Sequence, residues 1–171
     1  MQNLIQKKIC MLGDFAVGKT SLVTRFVEGI FDDKYLSTIG VKITRKELTL
    51  DHNIILRLML WDLAGSERYI GVQASYIQGA SGAFLVCDLS RPNTIQMFKA
   101  YQSRLHEVNP HVCIVVIGNK ADLVAGDTQL EQIKSLLAEY NHPYCITSAK
   151  TGQGVDEAFN LLAQNILACS K

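Results

Sequence analysis

The run Val112 to Ile117 (VCIVVI) is apolar at every position. A strand with one face in water alternates apolar and polar side chains, so an unbroken run of this kind suits a strand covered on both faces. Other short apolar runs stand at Ile9 to Leu12, Ile54 to Trp61, Ala83 to Cys87 and Tyr144 to Thr147. Segments with helical spacing lie between and after them. Val155, Phe159, Leu162 and Ile166 recur every three or four residues, and Asp156 and Glu157 favour a helix N-terminus there. Ile133, Leu136, Leu137 and Tyr140 repeat the spacing, and Ile95, Phe98, Gln102 and Leu105 outline a third helix less cleanly. Strand–helix alternation predicts right-handed crossovers and a mostly parallel, doubly wound sheet. Val41 to Leu50 departs from it, carrying Lys42, Arg45, Lys46 and Glu47 ahead of Asp51-His52-Asn53, and reads as an antiparallel, solvated edge strand. Ligands on such folds bind outside the carboxyl ends of the strands.

The first of those strand ends is followed by Gly13, Asp14, Phe15, Ala16, Val17, Gly18, Lys19, Thr20 and Ser21, which fits G-x-x-x-x-G-K-(S/T). Glycines permit a tight bend whose N–H groups turn inward, and the helix that follows presents its positive end. Lys19 supplies a point charge for the β- and γ-phosphates of a nucleotide, and the Thr20 hydroxyl is a ligand for Mg²⁺. The bland alternative is a glycine turn capped by Thr20. Placement between a strand and a helix favours phosphate binding, without separating ATP from GTP.

That separation comes from Asn119-Lys120-Ala121-Asp122, at the end of the buried run. Guanine displays donors at N1 and N2, where adenine has an acceptor and a C–H. A carboxylate at Asp122 accepts both guanine donors, Asn119 ties the loop together, and the Lys120 stem lies along the base. A P-loop kinase or ATPase is the reading these residues argue against.

Through these motifs the chain resembles the Ras superfamily of small GTPases, most closely its Rab branch. The resemblance runs from about Lys7 to Ile166 through GDFAVGKT, STIGV with Thr38, WDLAG from Trp61 to Gly65, NKAD, and Ser148-Ala149-Lys150. The run SERYIGVQASYIQGASG looks like a Rab second switch. The resemblance implies an α/β P-loop G domain over residues 1–171, with a six-stranded sheet, one antiparallel edge strand and about five helices. It implies GTP/GDP and Mg²⁺ as ligands, with Thr20, Thr38 and Asp62 around the metal. Gly65 N–H would touch the γ-phosphate, Phe31 would stack edgewise on the base, and Tyr35 would cover the phosphates. The Ala149 N–H would meet guanine O6, with Ser148, Lys150 and Leu123 alongside. Effectors, an exchange factor (GEF) and an activating protein (GAP) would use the loops around residues 31–47 and 64–78. Phe31 as a core residue, Thr38 as a turn residue and Asp62 as a helix cap are the structural alternatives.

Two positions depart from the family. Ser66 follows Ala64-Gly65 where most members carry the glutamine that orients the attacking water, and Phe15 stands where Rab proteins usually have a small residue. With Lys19, Thr38, Gly65 and Ser66 as the catalytic set, the expectation is a switch that hydrolyses GTP slowly without a GAP. The alternative is a nucleotide-controlled interaction module with negligible hydrolysis. Ser66 as a cap of the second-switch helix is compatible with either.

Composition trims the remaining classes. A net charge of +1 argues against a general nucleic-acid binder, and no apolar run approaches the roughly 20 residues of a membrane span. Gln2 replaces the glycine that myristoylation needs, and Ala168-Cys169-Ser170-Lys171 is not a prenylation box. The expectation is a cytoplasmic monomer, with peripheral membrane association only if a lipidated tail is missing from this chain. Cys10, Cys87, Cys113, Cys145 and Cys169 match no metal spacing and read as reduced core residues; His52, His106, His111 and His142 are scattered.

Overall fold

Alternate side chains of the central strands build two cores, one on each face of a single sheet. The computed structural model describes residues 3–34, 37–50, 54–64 and 75–169. Its strands are β1 (Asn3–Gly13), β2 (Val41–Leu50), β3 (Ile54–Leu63), β4 (Gly82–Asp88), β5 (Cys113–Asn119) and β6 (Tyr144–Ile146). The helices are α1 (Lys19–Glu28), α2 (Phe98–Val108), α3 (Asp127–Ala138) and α4 (Val155–Cys169), with a further helical turn at 75–77 and short 3₁₀ turns at Pro92–Ile95 and Ala121–Leu123.

The sheet order is β2-β3-β1-β4-β5-β6. Pairing is parallel from β3 through β6, and β2 lies antiparallel on β3 as the edge strand. Ile9 and Met11, Phe84 and Val86, and Val115 and Ile117 face one way, into the core shared with α1 and α4. Cys10 and Leu12, Leu85 and Cys87, and Ile114 and Val116 face the other, toward α2 and α3. Burial on both faces is why Val112 to Ile117 shows no alternation. Phe159 of α4 is the centre of the first core. It stacks on Phe26 of α1 with ring centroids 3.9 Å apart and meets Phe84 edge-on at 4.8 Å.

Some local readings change. β1 begins six residues before the apolar run Ile9 to Leu12, because its ladder with β3 starts at Asn3↔Ile54 while the outer side chains stay in water. The helix at 95–105 begins at Phe98; Ile95 sits in the preceding 3₁₀ turn, and Tyr101 rather than Gln102 is the buried residue between Phe98 and Leu105. Leu136 is exposed, and Tyr140 lies beyond α3 with its ring against Phe98. Only Cys10 and Cys87 are fully buried. Cys113 and Cys145 are half-buried and Cys169 is exposed at the end of α4, which corrects their reading as core residues. Asp51, His52 and Asn53 lie outside the described residues.

β3 and β4 flank β1 on opposite sides, so the carboxyl end of β1 is a topological switch point, the place where an open α/β sheet leaves a crevice. Phe159→Ala removes the ring shared by α1, β4 and α4. Urea unfolding is expected to show a loss of about 3–5 kcal/mol.

Candidate functional site

A cleft of about 530 Å³ opens above the carboxyl ends of β1 and β5. Its floor is the loop between β1 and α1. Gly13 passes so close to β4 that a Cβ there would lie 2.3 Å from the Val86 carbonyl oxygen. Gly18 has φ +98°, and a Cβ on it would lie 2.3 Å from Asn119 Nδ2. Only glycine satisfies both the left-handed backbone and the contact. α1 starts directly after it with no side-chain cap, which leaves the first-turn N–H groups directed at the cleft.

Lys19 is buried beneath this floor, donating to the Gly13 carbonyl at 2.8 Å and to the Asp14 carbonyl at 2.9 Å. Burial pushes its ammonium down to about 8, with Asp62 and Asp14 pulling it back up. An anion over the loop would restore the charged form.

Thr20, Thr38 and Asp62 converge at one end of the cleft. The Thr20 and Thr38 hydroxyl oxygens are 2.7 Å apart, Thr20 Oγ1 donates to Asp62 Oδ2, and Thr38 Oγ1 lies 3.5 Å from the same oxygen. Asp62 is 1% exposed, and its Oδ1 has no hydrogen-bond partner among the described residues. Burial raises its pKa against the opposing pull of Thr20, Lys19, Lys42 and Thr38. A buried carboxylate with an orphaned oxygen beside two hydroxyls is a hard, all-oxygen donor set. It fits a small divalent cation such as Mg²⁺.

The opposite wall comes from β5 and the loop after β6. The Asn119 side chain donates from Nδ2 to the Val17 carbonyl at 3.0 Å. Its Oδ1 accepts from Thr147 Oγ1 at 3.0 Å and from the Ala149 N–H at 3.2 Å. Ser148 Oγ donates to Asp122 Oδ1 at 2.5 Å and fixes that carboxylate from behind. Lys120 and Ala16 both have left-handed backbones, φ 66° and 59°, and Lys120 Nζ donates to the Ala16 carbonyl at 2.7 Å. Strained residues meeting at one contact are characteristic of a ligand cradle.

Most of the predicted residues therefore share one cavity. Phe15, Ala16, Gly18, Lys19, Thr20, Ser21, Phe31, Thr38, Asn119, Lys120, Asp122, Leu123, Ala149 and Lys150 line it. Val17 is fully buried and contributes its carbonyl, while Ser148 and Asp62 stand behind the lining. Phe31 is half-buried at the rim and also packs on the core, which joins its two sequence readings. Tyr35, Gly65 and Ser66 lie outside the described residues, as do parts of both proposed partner loops.

The structure adds residues that no motif marked. Asp88, 1% exposed at the end of β4, pairs with Lys120 at 2.8 Å and with Arg91 at 3.0 Å. Arg91 in turn donates to the Phe15 carbonyl at 3.0 Å. Two neighbouring loop carbonyls are thus held by cations anchored on one carboxylate. Burial would raise the Asp88 pKa, but Lys120, Ser90 and Arg91 together outweigh it and hold the group below the ordinary carboxylate range. Stability from that lowered pKa is present above the unfolded value near 4 and is lost as pH falls through the folded one. Asp88→Asn is expected to cost about 3 kcal/mol at pH 7. Urea titrations at several pH values should show the difference from wild type shrinking below about pH 4.

The chain is similar to known proteins over nearly its whole length. The Ras family pattern matches residues 8–168. The GTP-binding protein ypt5 of Schizosaccharomyces pombe is 36% identical over 95% of this chain and 78% of its own length. The Ras-related protein Rab-13 of Mesocricetus auratus is 36% identical over 94% and 79% respectively, and the Ras-related protein Rab-37 of Homo sapiens is 33% identical over 93% and 72%. The glycine floor, the oxygen cluster and the wall built on Asn119 are thus features of a member of the Ras family of small GTPases, with relatives among its Rab and Ypt proteins.

Proposed function

We propose that this chain is a guanine-nucleotide switch that binds GTP and GDP with Mg²⁺ and hydrolyses GTP to GDP, slowly when alone. One observation carries the reading: Asn119 joins the phosphate-type loop at Val17 to the loop at Ala149 in a single cleft that also holds Asp122. Phosphates would lie along the N–H groups of residues 13–20, with Lys19 turning from its carbonyl partners to the phosphate oxygens. Asp122, with one oxygen fixed by Ser148, would accept from guanine N1–H and N2–H. The Ala149 N–H, already long on Asn119 at 3.2 Å, would be shared with O6. Phe31 would close the rim against the base, and Tyr35 and Gly65 would act on the phosphates.

Thr20, Thr38 and Asp62 would hold Mg²⁺, which when bound supplies positive charge beside the β- and γ-phosphate oxygens. Thr38 then couples nucleotide state to loop shape. It is held when a γ-phosphate is present and released afterwards, and effectors, GEF and GAP would read the loops at 31–47 and 64–78. We read residues 1–171 as one G domain acting as a cytoplasmic monomer. Among the described residues no helix is long and apolar enough to cross a membrane.

Hydrolysis is where this chain departs from its family. Serine at position 66 is too short to orient water as glutamine does. Phe15 is 48% exposed and its carbonyl is tied down by Arg91, so a ring at the loop stands where an incoming arginine or glutamine would enter. These two residues also favour the second reading, an interaction module with negligible hydrolysis. A GAP supplying both groups in trans would restore turnover under the first reading only.

Single-turnover GTP hydrolysis decides between them. The wild-type rate is expected to be slow, with Ser66→Gln raising it about ten- to a hundredfold. Fast wild-type turnover, or no gain from glutamine, contradicts the assignment of Ser66. No turnover in cell extract supports the interaction module.

A further inference from the structure

Arg25 lies in the last turn of α1, and neither the sequence motifs nor the proposed chemistry uses it. Its guanidinium bridges two parts of the cleft. Nε donates to the Ala149 carbonyl at 2.8 Å and Nη2 donates to the Lys150 carbonyl, 124 and 125 residues downstream. Nη1 donates to the carbonyl of Gly29 at 2.9 Å. Gly29 caps α1 and leads directly into Ile30 and Phe31, which line the cleft.

The loop after β6 closes on itself through local bonds. Ser148 N–H donates to the Gln153 carbonyl, Gly152 N–H to the Ser148 carbonyl, and Thr151 N–H to Ser148 Oγ. Those bonds fix its shape but not its position. Asn119 and Asp122 tie it to the β5 side, and Arg25 ties it to α1 across the cleft. A guanidinium suits this task because its donors stand in a rigid planar fork, whereas an ammonium is a point on a flexible stem. The Arg25 charge also lies at the carboxyl end of α1, where a cation is favoured.

We propose that Arg25 is a positioning residue for base recognition: its fork sets where the Ala149–Lys150 backbone and the Gly29–Phe31 segment stand, and so sets selectivity at position 6 of guanine and the rate of nucleotide release. The proposal rests on the reading of the loop at Ala149 as base-binding. Arg25 itself touches no ligand in it. Removing the fork lets the Ala149 N–H drift from the position facing O6. Asp122 stands outside that loop, in the 3₁₀ turn Ala121–Leu123 directly after β5, and keeps its geometry toward N1 and N2.

The test compares dissociation constants and release rates of GDP, 6-thio-GDP and IDP for wild type and Arg25→Ala, with Mg²⁺ present. Sulfur at position 6 acts chiefly on the contact with Ala149, and the missing amino group of IDP chiefly on the contact with Asp122. Wild type is expected to prefer GDP over both analogues, by about tenfold for IDP. Arg25→Ala is expected to release GDP at least about tenfold faster. Its preference for GDP over 6-thio-GDP should collapse toward one while that over IDP is kept. A general loosening of the fold would lower all three affinities alike and leave both preferences intact, and that result overturns the proposal. Arg25→Lys keeps the charge without the fork and should lose the same preference; full retention by lysine also overturns it. Wild type that binds GDP tightly yet does not distinguish 6-thio-GDP overturns the reading of the loop at Ala149, a failure visible before any variant is made.

Discussion

The amide of Asn119 is almost completely buried at the end of β5, and it makes three hydrogen bonds to two separate parts of the chain. Val17 belongs to the loop after β1, Thr147 to the first position beyond β6, and Ala149 to the loop that continues from it. A buried amide left unpaired costs more than a good hydrogen bond returns, so Val17 and Thr147, each at 3.0 Å, are held close to fixed positions, and Ala149, at 3.2 Å, more loosely. Gly18 must be glycine partly because Asn119 fills the space a side chain would take. Phosphate-type floor and base-type wall thus share one fixed point.

Around that fixed point the polar groups fall into two kinds. Asp88 is saturated: Lys120, Arg91 and Ser90 surround it, and its charge serves to hold the carbonyls of Phe15 and Ala16. Lys19 and Asp62 are instead buried at a cost that the protein alone does not offset. The ammonium rests on two backbone carbonyls, and one carboxylate oxygen has no partner among the described residues. An anion above Lys19 and a cation beside Asp62 would complete both. A saturated frame and an unsaturated interior are what distinguish a ligand cradle from a structural ion network.

The sheet and its order of elements were legible because burial on both faces removes alternation from the strands, and because α4 places Val155, Phe159, Leu162 and Ile166 on one face. Strand ends were not, since the first residues of β1 pair with β3 while carrying solvent-facing side chains. The same division holds at the site. Gly13, Lys19, Asn119 and Asp122 announced themselves by spacing, because the ligand imposes it. Asp88, Arg91 and Arg25 act through backbone carbonyls distant in sequence, and a carbonyl carries no residue identity for a motif to record. Lys42, in the sequence a charge of the solvated edge strand, stands opposite Asp62 in the β2–β3 register and lines the cleft.

Floor and wall together would select a guanine nucleotide. The most direct measurement is chromatography of the nucleotide released by acid from the purified protein. Close to one guanine nucleotide per chain is expected, exchangeable for added GTP and not displaced by excess ATP. An adenine nucleotide in the extract, or displacement by ATP, would contradict it.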